Sequence, residues 1–184
     1  FLLREAIVNG SFYISGERVQ LRGSSAREML DQAMARLIEA VYSKLNDVDS
    51  FAESDQTIQQ ILTGGAVQEN MAGIAAPNIR AQDEMRQFLK IRAAQHMTVT
   101  VAEMQKRYQA APYGWREIDI AAQIAVLIRA QSVQLSYNGA PLLPTDRKMI
   151  DCLRKRTETE RTVICQKVSV PDALLKSARE LAAE

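Results

Sequence analysis

The sequence predicts a mainly α chain with small β-hairpins (α+β): a helical domain, a winged-helix-like unit, then a C-terminal strand and helix. Three observations predict it. Apolar residues recur at helical spacing from Met29 to Leu45 and again around Met85, Phe88 and Leu89. Trp115 to Ala130 is apolar almost all round and runs into an alternating segment closed by Asn138-Gly139. A β-branched run then spans Thr162 to Val170.

The first element is a helix over Leu2 to Val8, stopped by Asn9-Gly10, because glycine accepts the left-handed turn that ends helices. Phe12 and Ile14 alternate with Tyr13 and Ser15, and Val19 and Leu21 alternate with Gln20, so Ser15-Gly16-Glu17 turns a small hairpin. Ser25-Ala26-Arg27-Glu28 has capping-box spacing and opens a helix to about Leu45. Met29, Leu30, Ala33, Met34, Leu37, Ile38 and Val41 fall on one side of it. Residues 46–77 read as a connection with a short helix over Thr57 to Leu62, broken by Gly64-Gly65, Gly73 and Pro77. A second long helix follows from Ile79 to Gln95.

Thr100-Val101-Ala102-Glu103 is another capping box, opening a helix that turns Met104 and Tyr108 inward. Ala111-Pro112-Tyr113-Gly114 ends it. The apolar helix Trp115 to Ala130 and the turn at Asn138-Gly139 complete the winged-helix outline. A helix from Thr145 to about Arg156, the strand from Thr162 and a helix after Pro171 close the chain. The divisions implied are 1–96 for the hairpin and helical domain, 97–144 for the winged-helix-like unit, and 145–184 as the start of a further domain. The chain lacks an initiator Met and opens and closes within helical patterns, so it reads as a piece of a larger protein.

The 184 residues suffice for a core without staples, and a 47% apolar fraction suits a globular chain. A net charge of +1 supplies no long-range field toward nucleic acid or an anionic membrane surface, so either would need a local patch. Cys152 and Cys165 make no disulfide framework, which fits a reduced cytoplasmic setting. No apolar run is long enough to cross a membrane, and no membrane partner is expected.

Catalytic chemistry finds little to stand on. Gly64-Gly65 is followed by Ala66-Val67-Gln68 where a phosphate loop needs Gly-Lys-Ser, so no nucleotide cofactor is expected on these residues. His96 is the sole histidine, and neither it nor the cysteines have the spacing that preorganises a metal site. A Cys–His nucleophile would need His96 to meet Cys152 or Cys165. Asp146 with Asp151, or Glu158 with Glu160, could converge as an acid–base pair only by folding. Solvated helix and loop charges are the favoured account of them.

Two groups are candidate contact residues. Arg147, Lys148, Arg154, Lys155, Arg156 and Arg161 lie beside the wing and could meet phosphates, although acidic residues interleave with them. Tyr113 and Trp115 form an aromatic corner, either an exposed partner anchor or a clasp fixing the angle between helices. The apolar helix offers only Arg116, Glu117, Asp119, Gln123 and Arg129 as polar groups, a poor set for reading bases. A free-standing winged-helix DNA-binding regulator is therefore the second reading, behind a packing or docking module.

Leu3 to Gly10 with its hairpin, Ile38-Glu39-Ala40-Val41-Tyr42-Ser43-Lys44-Leu45, and Ala111-Pro112-Tyr113-Gly114-Trp115-Arg116-Glu117-Ile118-Asp119-Ile120 together carry a resemblance. They resemble the middle-to-C-terminal part of the large P-loop protein of bacteriophage-exclusion (BREX) systems, the BrxC/PglY family. The resemblance implies a large cytoplasmic ATPase, using ATP and Mg outside this chain and acting with other BREX components. None of that family's nucleotide-binding residues has a counterpart here. This portion would be a non-catalytic interaction or coupling region.

Overall fold

A computed structural model describes residues 2–64 and 77–167. The expected breaks at Gly65 and Gly73, the strand beyond Lys167 and the helix after Pro171 lie outside them. Helix α1 (Leu2–Asn9) leads into strands β1 (Phe12–Ile14) and β2 (Glu17–Val19), an antiparallel hairpin pairing Phe12 with Val19. Ser15 and Gly16 both take positive φ in its turn, the geometry that matches the twist of the strands.

Helix α2 (Ala26–Val41) is capped by Ser25, whose hydroxyl accepts from the Glu28 amide. Glu28 returns its carboxylate to the Ser24 amide at 2.8 Å and not to Ser25, so the box closes one residue early. Its apolar side is the first departure from expectation. Only Met29 is buried, while Leu30, Met34, Leu37, Ile38 and Val41 stay 42–54% exposed among the described residues. Among the described elements its main neighbours are α1 and β1, too short to cover that side. It also ends at Val41, four residues earlier than the periodicity suggests, with a 3-10 turn over Leu45–Asp47 beyond it.

The main body begins there. Helix α3 (Asp55–Thr63) ends on Gly64 in the left-handed conformation, and α4 (Ile79–Ala94) ends on His96, which takes φ 57°. The His96 amide bonds Ala93 and the Met97 amide bonds Arg92, a Schellman ending built on a non-glycine residue. Strand β3 (Val99–Thr100) and helix α5 (Val101–Gln109) follow, with both halves of the Thr100–Glu103 capping box formed. Then come α6 (Glu117–Arg129), β4 (Val133–Tyr137), β5 (Ala140–Pro141), α7 (Met149–Arg154), α8 (Arg156–Thr159) and β6 (Thr162–Gln166).

The expected long helix from Thr145 is thus two short ones, because the Lys155 backbone turns to an extended conformation between them. The sheet carries the larger correction. Its order is β3-β6-β4-β5, so β6 does not open a further domain but lies at the centre of the wing sheet. Leu135 faces Ile164 across one pairing and Val99 faces Ile164 across the other. Alternation explains the placement: Thr162 and Ile164 point inward while Val163 and Cys165 point away. One core runs from Val48 through Met85, Tyr108, Ile124 and Leu135 to Ile164, crossing both positions, 97 and 145, at which composition suggested divisions.

Candidate functional site

In the element order α4-β3-α5-α6-β4-β6, α6 stands where a DNA-reading protein presents its recognition helix. Here that helix is enclosed. Ile120, Ala121, Ala122, Ile124, Ala125, Leu127 and Ile128 are buried, and α3 is its most extensive neighbour.

Its polar groups are turned to internal use. Asp119, 1% exposed, accepts from the Ala52 amide at 2.8 Å and from Arg116 Nε at 2.6 Å. Arg116 also donates to the Ala52 carbonyl at 3.0 Å and lies 5.1 Å from the Phe51 ring centre. Together these pin residues 51–52 across the start of α6. Gln123 accepts from Gln82 at 3.3 Å. Glu117 takes Arg154 at 2.7 Å, and Arg129 reaches the Ile61 carbonyl at 3.5 Å. All five polar residues the sequence offered on this helix have partners within the chain.

The basic cluster is brought together only in part, and is largely neutralised. Lys148 lies 3.2 Å from Glu158 and 3.9 Å from the centre of the Tyr137 ring. Arg154 bridges Asp55 at 2.9 Å and Glu117 at 2.7 Å, tying α7 to α3 and α6. Lys155 pairs with Asp151 at 2.8 Å, and Arg156 approaches Glu160 at 3.8 Å on a fully solvated surface. Arg147 and Arg161 are exposed and have no ion pair among the described residues. Such surface pairs add little stability, but they do cancel the local field.

The aromatic corner is internal, which overturns the partner-anchor reading of Tyr113 and Trp115. They are 5% and 3% exposed. Trp115 stacks on Tyr108 with ring centres 4.8 Å apart, and its indole N–H donates to the Lys44 carbonyl at 2.9 Å. Tyr113 meets Tyr108 edge-on at 4.7 Å and donates its hydroxyl to Glu84. Glu84 also receives Lys44 at 2.6 Å and has Arg107 3.7 Å away. Burial alone would raise the Glu84 carboxyl, but the hydrogen bonds from Lys44 and Tyr113 and the charges of Lys44 and Arg107 hold it below its ordinary value. Burial, with Glu84 beside it, pushes the Tyr113 hydroxyl up.

The sequence did not single out this Lys44–Glu84–Tyr113–Arg107 group. Its members lie on four segments, and only the acidic Glu84 on an otherwise buried approach could have signalled it.

The remaining candidates do not converge. His96 is an exposed helix terminator, Cys152 is buried and Cys165 is exposed on β6. Burial raises the Cys152 thiol, the wrong direction for a nucleophile. Asp151 and Glu158 serve Lys155 and Lys148, Asp146 accepts from the Leu143 amide at 2.8 Å, and Glu160 faces Arg156. Among the described residues no three His, Cys, Asp or Glu side chains are grouped to hold a metal ion. Nor is any described helix long and apolar enough to cross a membrane.

The architecture defines a winged helix-turn-helix domain with α7 and α8 inserted between β5 and β6 of its sheet. Residues 44–168 match the family model described as the BREX ATP-binding protein BrxC winged helix-turn-helix domain, and the chain belongs to that family. The match takes in the whole described core and stops short of α1, the β1–β2 hairpin and α2. No solved structure matches the chain.

Proposed function

We propose that this chain is a non-catalytic interaction or coupling region of a BREX phage-defence protein, joining its ATP-using part to other BREX components. The observation that carries the reading is the closure of α6. A winged helix whose reading helix is clamped by Asp119, Arg116 and Ala52 under α3 has given up the surface with which the fold recognises bases. What remains is a rigid body suited to transmitting or receiving a contact. By resemblance, ATP and Mg belong to another part of the intact cytoplasmic protein, and the phosphate loop that would hold them lies there.

The reading is tested by presenting the purified chain to each purified BREX component in turn, with analytical ultracentrifugation as the readout. A defined complex with one component, and no ATP turnover by the chain alone, is the expected result. Sequence-selective binding of duplex DNA by the native chain would favour the DNA-binding regulator instead.

A further inference from the structure

A shallow groove of about 520 Å³ lies between α4 and the neighbouring ends of α6, β4 and β6. Arg86 and Lys90 on α4 and Lys167 at the end of β6 line it, with Gln87, Gln131 and Ser132 between them, and no carboxylate lines it among the described residues. On the wing side Lys148, Arg154, Lys155 and Arg156 are each matched by an acid, which leaves Arg147 and Arg161 without an ion pair among the described residues. Lys90 is exposed and has no ion pair among the described residues. Lys167 donates to the neutral Gln131 carboxamide oxygen and has no ion pair among the described residues. Arg86 is partly balanced by Asp83 at 2.6 Å, which leaves the two lysines as the principal cations.

We propose that this groove binds the phosphate backbone of duplex DNA without regard to sequence. Ammonium, guanidinium, carboxamide and hydroxyl groups are the donors that phosphate oxygens accept from. Among the described residues the lining contains no aromatic ring, the stacking platform that holds single strands. Its apolar floor, Leu89 and Val133, is itself buried, so a peptide would find no pocket for an anchoring side chain. The helix that would read bases is closed, so any contact is with phosphates alone. This site is independent of the coupling role proposed above and uses none of its contacts.

The test is fluorescence anisotropy of the chain with a labelled duplex of about 20 base pairs, titrated between about 50 and 200 mM salt. Three proteins are compared: the native chain, Lys90→Glu with Lys167→Glu, and Arg147→Glu with Arg161→Glu, each checked for an unchanged thermal transition. The groove variant is expected to bind at least about tenfold more weakly, with the slope of log affinity against log salt smaller by about two. The wing variant is expected to stay within about twofold of the native chain. Absence of salt-sensitive binding, or equal loss in the wing variant, would overturn the proposal. So would competition by polyglutamate or a single strand as strong as by unlabelled duplex.

Discussion

The indole of Trp115 lies nearly parallel to the Tyr108 ring, 6° between planes, while its N–H reaches across to the carbonyl of Lys44. One side chain thus joins the end of α5, the start of α6 and the segment that follows α2. Trp115→Ala should cost about 3–5 kcal/mol, the range for truncating a large buried aromatic. Denaturant unfolding checks this. A loss below about 1 kcal/mol would mean that the corner is not packed.

Glu84 supplies an acid-sensitive link. Its carboxyl is held below its ordinary value in the folded chain, so the stability it contributes is complete above the unfolded value and disappears as pH falls through the folded one. Melting temperature should therefore decline on acidification below about pH 4.5, the carboxylate's unperturbed region. Glu84→Gln should flatten that decline while lowering stability near neutrality. Parallel pH profiles for the two proteins would contradict the assignment.

Gly114 takes φ +66°, and a Cβ placed there would lie 2.6 Å from Tyr42 Cδ1. Gly114→Ala should destabilise by about 2–4 kcal/mol through backbone strain and ring overlap together. Thermal unfolding of Gly114→Ala against Gly139→Ala separates the two causes. Gly139 is also left-handed, yet nothing lies within 4 Å of its added Cβ.

His96 ends α4 in a conformation that glycine adopts without strain. His96→Gly should raise stability by about 0.5–1 kcal/mol, visible as a small increase in melting temperature. A loss of stability would show that the ring makes an interaction beyond its helix-ending role.

Much of this architecture was legible because local chemistry and tertiary demand agree. Thr100 and Glu103 specify a helix start that packing then uses, and Asn138-Gly139 specifies a turn that any sheet would accept. The apolar circumference of Trp115 to Ala130 announced burial before its neighbours were known. The sheet was less legible, since pairing is a property of two segments. Nothing within Thr162–Gln166 states that its partners are Val99 and Val133–Tyr137, more than twenty residues away.

Helix α2 failed differently. Its periodicity correctly marks an apolar side, but periodicity cannot say whether another element covers it. The candidate sites show the same limit. The spacing of Arg147 to Arg161 showed both the charge cluster and the interleaved Asp151, Glu158 and Glu160 that pair with Lys155, Lys148 and Arg156, while the pairing of Arg154 depends on Asp55 and Glu117 arriving from elsewhere in the fold.

The most direct test is native-state hydrogen exchange of the amides from Ile120 to Ile128. If α6 is an interior strut, those amides exchange only when the whole chain unfolds, with protection that follows global stability as denaturant is added. Rapid exchange there that ignores denaturant, beside a protected α5 and β6, would show α6 lying free at the surface and would contradict the account.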